Sequence, residues 1–389
     1  MTNFDEIIDR KNTNSLKYDF LMERRNRDDL LPLWIADMDF RLPEDIISDI
    51  QKAVSHGIFG YSDVKETYFI SLQNWFEKQF SWDINKDWLI KTPGIVFAIA
   101  LAIKAFTNEG DSILIQQPVY YPFSECILSN KRKLVNNQLA YKDRKYTIDY
   151  EDFESKIVNE HVKLFLLCSP QNPTGRVWTK DELTRIGEIC LKHNVIVLSD
   201  EIHCDFIYPG STHTVFASIN EEFAMNSIIC TAPSKTFNIA GLQISNIFIP
   251  NKTLRYAFRE EFDASGYSQL NTLGLVACQS AYSKGEAWLK ELKVYLKGNL
   301  DYVRNFINEK LPEIKLVEPE GTYLIWLDCS GLGLSYKELE KLIIDKAKLW
   351  LDGGIIFGRE TALFERINIA CPRSILEKAM KSLEQAIRS

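Results

Sequence analysis

An α/β chain with a mostly parallel central sheet, followed by a smaller α+β region, is what the order of elements predicts. Three observations predict it. Short, continuous apolar runs at 112–115, 163–168, 194–199 and 227–230 read as strands buried on both faces, as central parallel strands are. Helical periods at 95–106 and 180–193 separate such runs. After about Leu254 the pattern changes to long helices and then to alternating strands, the mark of a second unit built on another plan.

The bulk numbers fit that outline. The chain has 389 residues, 46% of them hydrophobic and 25% charged, an ordinary globular composition with room for two domains. A net charge of −7 argues against non-specific binding to nucleic acid or to an anionic membrane. The eight cysteines are scattered without a C-x-x-C pair, so a reducing, cytoplasmic setting is expected rather than a disulfide framework. The five histidines form no H-E-x-x-H pattern, so no metal site is expected. The acidic start lacks the apolar core of a signal peptide, and the longest apolar stretch, 94–106, is too short to cross a bilayer.

Taken in order, residues 1–33 read as an arm with a short helix, and 33–40 as an apolar strand or turn ending in acids. Pro43 opens a helix that runs to Ser55 with Ile46, Ile47, Ile50 and Val54 at helical spacing. A glycine-bracketed loop at 56–62 ends in an aromatic, Tyr61, which on its own reads equally as a packed loop residue. An amphipathic helix at 68–80 and a strand at 87–91 follow, and Thr92-Pro93-Gly94 breaks the chain before the helix at 95–106. Helix N-termini attract phosphates through free N–H groups and the dipole. The strand at 112–115 leads into two tyrosines held between prolines, Tyr120 and Tyr121. The strand at 163–168 ends in Ser-Pro and Asn-Pro steps around Asn172, candidates for cis turns. Thr179 suits a cap for the next helix. The strand at 194–199 ends in Asp200-Glu201-Ile202-His203, and the one at 227–231 runs into Ser234-Lys235. Further on come a strand at 246–250, long helices at 267–282 and 286–310, alternating strands at 321–328 and 364–370, a helix at 336–348 and a closing helix from Arg373. The expected division is an arm and part of the small domain over 1–45, a large domain over 46–285 and a small domain over 286–389.

Polar residues that follow successive strands thus gather on one rim: Gly94, Tyr120, Asn172, Asp200 and Lys235. Open α/β sheets bind their ligands at that rim. A lysine that cannot reach bulk water becomes a nucleophile or base. Together with an aspartate, an amide, a stacking ring and a phosphate cradle, it suits pyridoxal 5′-phosphate.

Four runs then bring out a resemblance: Asn-Pro-Thr-Gly-Arg from Asn172, Asp-Glu-Ile-His from Asp200, Ser-Lys-Thr-Phe-Asn-Ile-Ala-Gly-Leu from Ser234, and Arg-Ile-Asn-Ile-Ala-Cys-Pro-Arg from Arg366. In order and spacing they resemble the fold-type-I pyridoxal-phosphate enzymes of the aspartate aminotransferase superfamily. The likeness is greatest to the cystathionine β-lyase, or C–S lyase, branch of MalY/PatB type. The resemblance implies a large domain on a seven-stranded, mostly parallel sheet and a smaller α+β domain. It implies that Lys235 forms the Schiff base and moves protons, that Asp200 pairs with the pyridine nitrogen, and that Asn172 bonds the ring oxygen. Tyr120 would stack on the ring. Backbone N–H groups of Gly94, Ile95 and Val96 would hold the phosphate, with Ser234 close by. Arg366 would fork onto the substrate carboxylate, with Ala36 and Tyr121 lining the substrate. Tyr61 would reach the cofactor of a neighbouring subunit, which implies a homodimer with shared, catalytically dependent sites.

Two departures from the general aminotransferase pattern favour the lyase branch. His203 stands where aminotransferases usually place a tyrosine, and is a candidate cofactor contact. Gln243 stands where many have an arginine for the phosphate. Thr361 occupies a position where the branch usually has glycine, which bears on the loop before Arg366. The implied reaction is β-elimination of a thiol from L-cystathionine, L-cystine or a similar cysteine S-conjugate, leaving pyruvate and ammonia. An aminotransferase, or a regulatory protein of this branch, is the alternative.

Overall fold

The computed structural model describes residues 2–389. Seven strands form the central sheet: β1 (Leu89–Thr92), β2 (Ser112–Ile115), β3 (Lys133–Asn136), β4 (Val162–Cys168), β5 (Ile196–Asp200), β6 (Ser227–Thr231) and β7 (Ser245–Phe248). Their spatial order is β1-β7-β6-β5-β4-β2-β3, with β7 antiparallel to both neighbours and the remaining pairs parallel. Because β7 alone is reversed, β1 runs the same way as β2 to β6. Its C-terminal end therefore lies on the same rim as theirs.

The continuous apolar runs have the expected cause. Along β4, Leu164, Leu166 and Cys168 join one core while Phe165 and Leu167 join the other, on the opposite face of the sheet. The helix Ile95–Phe106 is apolar on nearly every side because it lies on the sheet under a second helix, Lys252–Ala264. Thr179 caps the helix Lys180–Lys192 in a reciprocal capping box with Glu182.

A second sheet of four antiparallel strands comprises β8 (Lys315–Val317), β9 (Leu324–Asp328), β10 (Asp352–Gly353) and β11 (Phe364–Asn368), in the order β8-β9-β11-β10. The alternation expected of β9 and β11 does not translate into an exposed face. Every residue of both is buried. The helix expected over 336–348 also ends early: Tyr336–Lys341 is α-helical and Leu342–Lys346 is a π turn. The strand expected at 87–91 is displaced to 89–92 behind a short 3-10 turn. The helical region after Leu254 divides into Lys252–Ala264, Thr272–Lys284 and Glu286–Lys310.

The first segment is tied to the second sheet's side of the molecule. Leu31–Pro32 pairs in parallel with Leu349–Trp350, and the Trp34 and Trp350 rings stack at 4.5 Å. Lys17, fully buried, donates to Asp39 at 2.7 Å, and Arg10 bridges Asp37 and Asp39. These pairs fix the backbone at 36–39, which reaches the rim of the large sheet.

Candidate active site

A cavity of about 430 Å3 opens at that rim. Its walls include Gly94, Ile95, Val96, Tyr120, Tyr121, Asn172, Asp200, His203, Ser234, Lys235 and Arg366, with Ala36 on the opposite side. Twelve of the thirteen residues expected at the site therefore meet in one place. Tyr61 does not: it is 97% exposed and lies beside Ser62 and Leu270, away from the cavity of its own chain.

Lys235 sits on a one-turn helix, Pro233–Thr236, that follows β6 directly. Its Nζ donates to the Ala36 carbonyl oxygen at 2.7 Å. Burial lowers its pKa from the usual lysine range to about 8, with the Arg366 charge pushing the same way and Asp37 and Asp200 opposing. The amine therefore reaches its neutral form near physiological pH.

Asp200 ends β5 and is almost fully buried. Its Oδ1 accepts only the Ile202 N–H, at 3.1 Å. Burial raises its pKa to about 7, against the pull of that hydrogen bond and of Lys235. A buried carboxylate so poorly supplied with donors calls for a cationic partner. In protein stripped of any ligand, folded Asp200 keeps a proton between pH 4 and 7 that the unfolded chain has released, so stability falls as pH rises through that window. Asp200→Asn removes this effect and should stabilise the stripped protein by up to about 4 kcal/mol at pH 8, with a much smaller gain at pH 5. Urea unfolding at both pH values checks it; an equal gain at both would contradict it.

Asn172 lies in the loop after β4, between the cis bonds Ser169-Pro170 and Asn172-Pro173. Its Oδ1 accepts from Arg366 Nη1 at 2.9 Å, which leaves its amide nitrogen free to donate into the cavity. The loop is held by Gly175, whose φ of +72° and packing against Pro319 admit no side chain: an added Cβ would sit 2.7 Å from Pro319 Cβ. Gly175→Ala should cost about 1–3 kcal/mol, read as a lowered denaturant midpoint.

Arg366, on β11, is 3% exposed. The structure engages it more fully than the sequence suggested. Beyond Asn172, its Nη2 donates to the Trp34 carbonyl oxygen at 2.8 Å and to Asp352 Oδ2, while its Nε is buried without a partner. The threonine at 361 stabilises the loop ahead of this strand: its hydroxyl donates to the carbonyl oxygens of Gly354 and Gly358 at 3.0 and 2.9 Å.

His203 is buried with no partner on Nδ1, and its ring meets the Tyr323 ring edge-on. Burial lowers its pKa to about 3, helped by Lys235 and Arg366, so it is a neutral imidazole. Gln243 takes a left-handed turn, φ 50°, off the cavity lining. Sequence reasoning passed over Tyr323, whose hydroxyl donates to the same Ala36 carbonyl at 3.2 Å, and Asp352, Trp34 and Arg24, which also line the cavity. Tyr323 stands just before β9, inside the stretch 321–328 read as a strand, but Asp352 and Arg24 carry no local signal.

The residues present fit pyridoxal 5′-phosphate. The N-terminal turn of the helix Ile95–Phe106, whose first N–H groups have no intrahelical partner, borders the cavity and suits the phosphate. The under-supplied Asp200 carboxylate suits a protonated pyridine, the free Asn172 amide suits a ring oxygen, and Lys235 suits the aldehyde. Fold and site together define the fold-type-I class of pyridoxal-phosphate proteins.

The comparison with known proteins places the chain within that class. It belongs to the family described as aminotransferase class I and II, matched over residues 28–383. It is similar to the cystathionine β-lyase PatB of Bacillus subtilis (strain 168), with 40% identity covering 99% of this chain and 100% of that protein. It is also similar to crystallised cystalysin from Treponema denticola, which contains a pyridoxal 5′-phosphate cofactor: TM-score 0.97, 40% identity, covering 100% of this chain and 99% of that one. A pyridoxal-phosphate-bound protein of Clostridium difficile 630 described as an aminotransferase matches with TM-score 0.97 and 44% identity, covering 100% of both chains.

Proposed function

We propose that this protein is a pyridoxal-phosphate-dependent carbon–sulfur β-lyase. It cleaves L-cystathionine and related cysteine S-conjugates, with water, to a thiol, pyruvate and ammonia. The observation that carries the lyase reading is the full-length 40% identity to a cystathionine β-lyase, joined to a cavity in which a lysine with lowered pKa faces a buried carboxylate.

When bound, pyridoxal 5′-phosphate supplies the electron sink for the pair left at the substrate Cα. The chain's residues do the rest. Asp200 would pair with the pyridine nitrogen and favour its protonated form, and Tyr120 would stack on the ring. Asn172 would donate to the ring oxygen, while Gly94, Ile95 and Val96, with Ser234 close by, would hold the phosphate. Lys235 Nζ, released from Ala36, removes the Cα proton; its pKa near 8 matches it to that task. Arg366, its Nη groups engaged by Asn172, Trp34 and Asp352, would meet the substrate carboxylate with its unpaired Nε. His203, held neutral by burial, would contact the bound cofactor. Ala36 and Tyr121 border the substrate.

The working unit in this reading is a cytoplasmic homodimer with shared sites. Ile58, Phe59 and Tyr61 stand 72%, 58% and 97% exposed on one loop, an apolar surface that suits a subunit contact. Tyr61 then reaches the partner's cofactor phosphate. Among the described residues no helix is long and apolar enough to cross a membrane. Complementation tests the sharing: Tyr61→Ala and Lys235→Ala, each inactive alone, should regain about one quarter of wild-type activity when unfolded and reassembled together, because half the dimers carry one intact site. No recovery in mixed dimers would contradict shared sites.

The reaction itself is tested by the need for a 2-oxo acid. Steady pyruvate release from L-cystathionine without one supports the lyase. Turnover that waits for an added 2-oxo acid and releases no thiol would make the protein an aminotransferase.

A further inference from the structure

We infer that Asn238 is a positioning residue for the reaction: its side-chain amide sets the distance between the Ala36 carbonyl and the Lys235 amine, and so the place where that base rests. The inference rests on the reading of Lys235 as the base and names a group that acts on it from outside the cavity.

The hydrogen bonds carry it. Among the described residues the Ala36 carbonyl oxygen is the one acceptor of Lys235 Nζ, at 2.7 Å. It lies on a stretch, 34–38, that belongs to no helix or strand, so other groups must fix it. The arm and the second sheet's side hold this stretch first. Arg10 donates to the Met38 carbonyl, Tyr323 to that of Ala36 and Arg366 to that of Trp34, while the Asn368 amide donates to those of Ile35 and Asp37 at 2.7 and 2.6 Å. Apart from Nζ itself, the Lys235 segment reaches the stretch through Asn238 alone. Its Oδ1 accepts the Met38 N–H at 2.9 Å and its Nδ2 donates to the Met38 carbonyl oxygen at 2.8 Å. Two bonds exchanged with one residue, as in a hydrogen-bonded strand pair, fix tilt as well as distance.

Two further features single out this amide. Asn238 has φ 52°, the left-handed region, which strains residues that carry a Cβ and which asparagine tolerates better than most. Strain held close to a reacting group marks a side chain that is used. The lysine's end of the link is also rigid. The Thr236 hydroxyl donates to Asp205 Oδ2 at 2.6 Å, and that buried carboxylate accepts the Trp75 Nε1–H at 3.1 Å. With the Lys235 helix anchored from behind, Asn238 governs where the stretch 34–38 stands relative to Nζ. When the cofactor engages Nζ, the bond to Ala36 is given up, and Asn238 is then the hydrogen-bonded link that remains.

The test compares Asn238→Gly with Asn238→Ala. Both remove the amide, but glycine accepts the left-handed backbone and alanine strains it, so alanine alone should lower the melting temperature appreciably. In cofactor-loaded protein kcat for pyruvate release from L-cystathionine should fall about tenfold in both. A second reading needs no turnover. Pyridoxal 5′-phosphate added to cofactor-free protein is captured by the neutral amine, so the capture rate against pH, followed by absorbance, reports the ionisation of Lys235. Asp37, Asp200, Arg366, His203 and Tyr323 face that amine, and neither variant touches them. The wild-type midpoint should lie at about 8. A carbonyl that drifts from Nζ supports the ammonium less, so both variants should lower the midpoint by about half a unit or more. A kcat within about twofold of wild type and an unmoved midpoint in Asn238→Gly would overturn the inference. So would a loss of kcat confined to Asn238→Ala and following its melting temperature, the mark of a merely structural role. Wild-type protein that captures no pyridoxal 5′-phosphate at any pH would overturn the cofactor reading beneath it.

Discussion

Lys235→Ala abolishes turnover without weakening the fold. Loss of a positioned base costs about 10²–10⁴-fold, and the same side chain also holds the cofactor, so kcat should fall by at least about 10³. Stability should hold or rise. The folded pKa near 8 lies below the ordinary lysine value, so below that pH the native state carries an ammonium that it would rather release. Removing it removes a cost, and Nζ gives up only its hydrogen bond to Ala36. The expected combination is inactive protein with an unchanged or raised melting temperature. Borohydride reduction followed by peptide mapping should tag Lys235 in wild type and leave the variant untagged. A variant that is inactive because it melts early would contradict this account.

Arg366→Leu should damage both activity and stability. Asp352 would remain buried without its partner, at a cost of about 3–5 kcal/mol. Asn172 and the Trp34 carbonyl would lose the donors that hold them at 2.9 and 2.8 Å. The substrate carboxylate would lose its charged donor, and kcat/KM should drop by about 10²-fold or more. The double variant Arg366→Leu/Asp352→Leu separates the two effects. Removing both charges of a buried pair is far milder than removing one, so stability should largely return while activity does not. Equal stability of the single and double variants would show that the pair contributes nothing.

Much of this site was legible because β-strands advertise their ends. Continuous apolar runs end where the chain reaches the rim, and the residue that follows each strand is placed there by topology alone. Asp200 and Lys235 were found in that way, as was Gly94. Asp352 and Arg24 were invisible for the opposite reason. Asp352 lies on a two-residue strand with no period, and Arg24 on a five-residue helix whose basic end reads as a solvated surface. Only tertiary folding brings them beside Tyr121. The engagement of Arg366 with Asp352 was hidden for the same reason, since fourteen positions of largely irregular chain separate partners that β10 and β11 place side by side. Strand burial misled at the second sheet: β11 carries Glu365, Arg366 and Asn368 yet is buried throughout, and β9, read as alternating, is the continuous apolar run Leu-Ile-Trp-Leu before Asp328.

The most direct measurement is simultaneous quantification of thiol, pyruvate and ammonia from L-cystathionine, using purified, cofactor-loaded wild-type protein with no 2-oxo acid present. β-Elimination at this site predicts that the three products appear together in equal amounts for many turnovers. Loss of the amino group with the carbon–sulfur bond intact, and no free thiol, would contradict it.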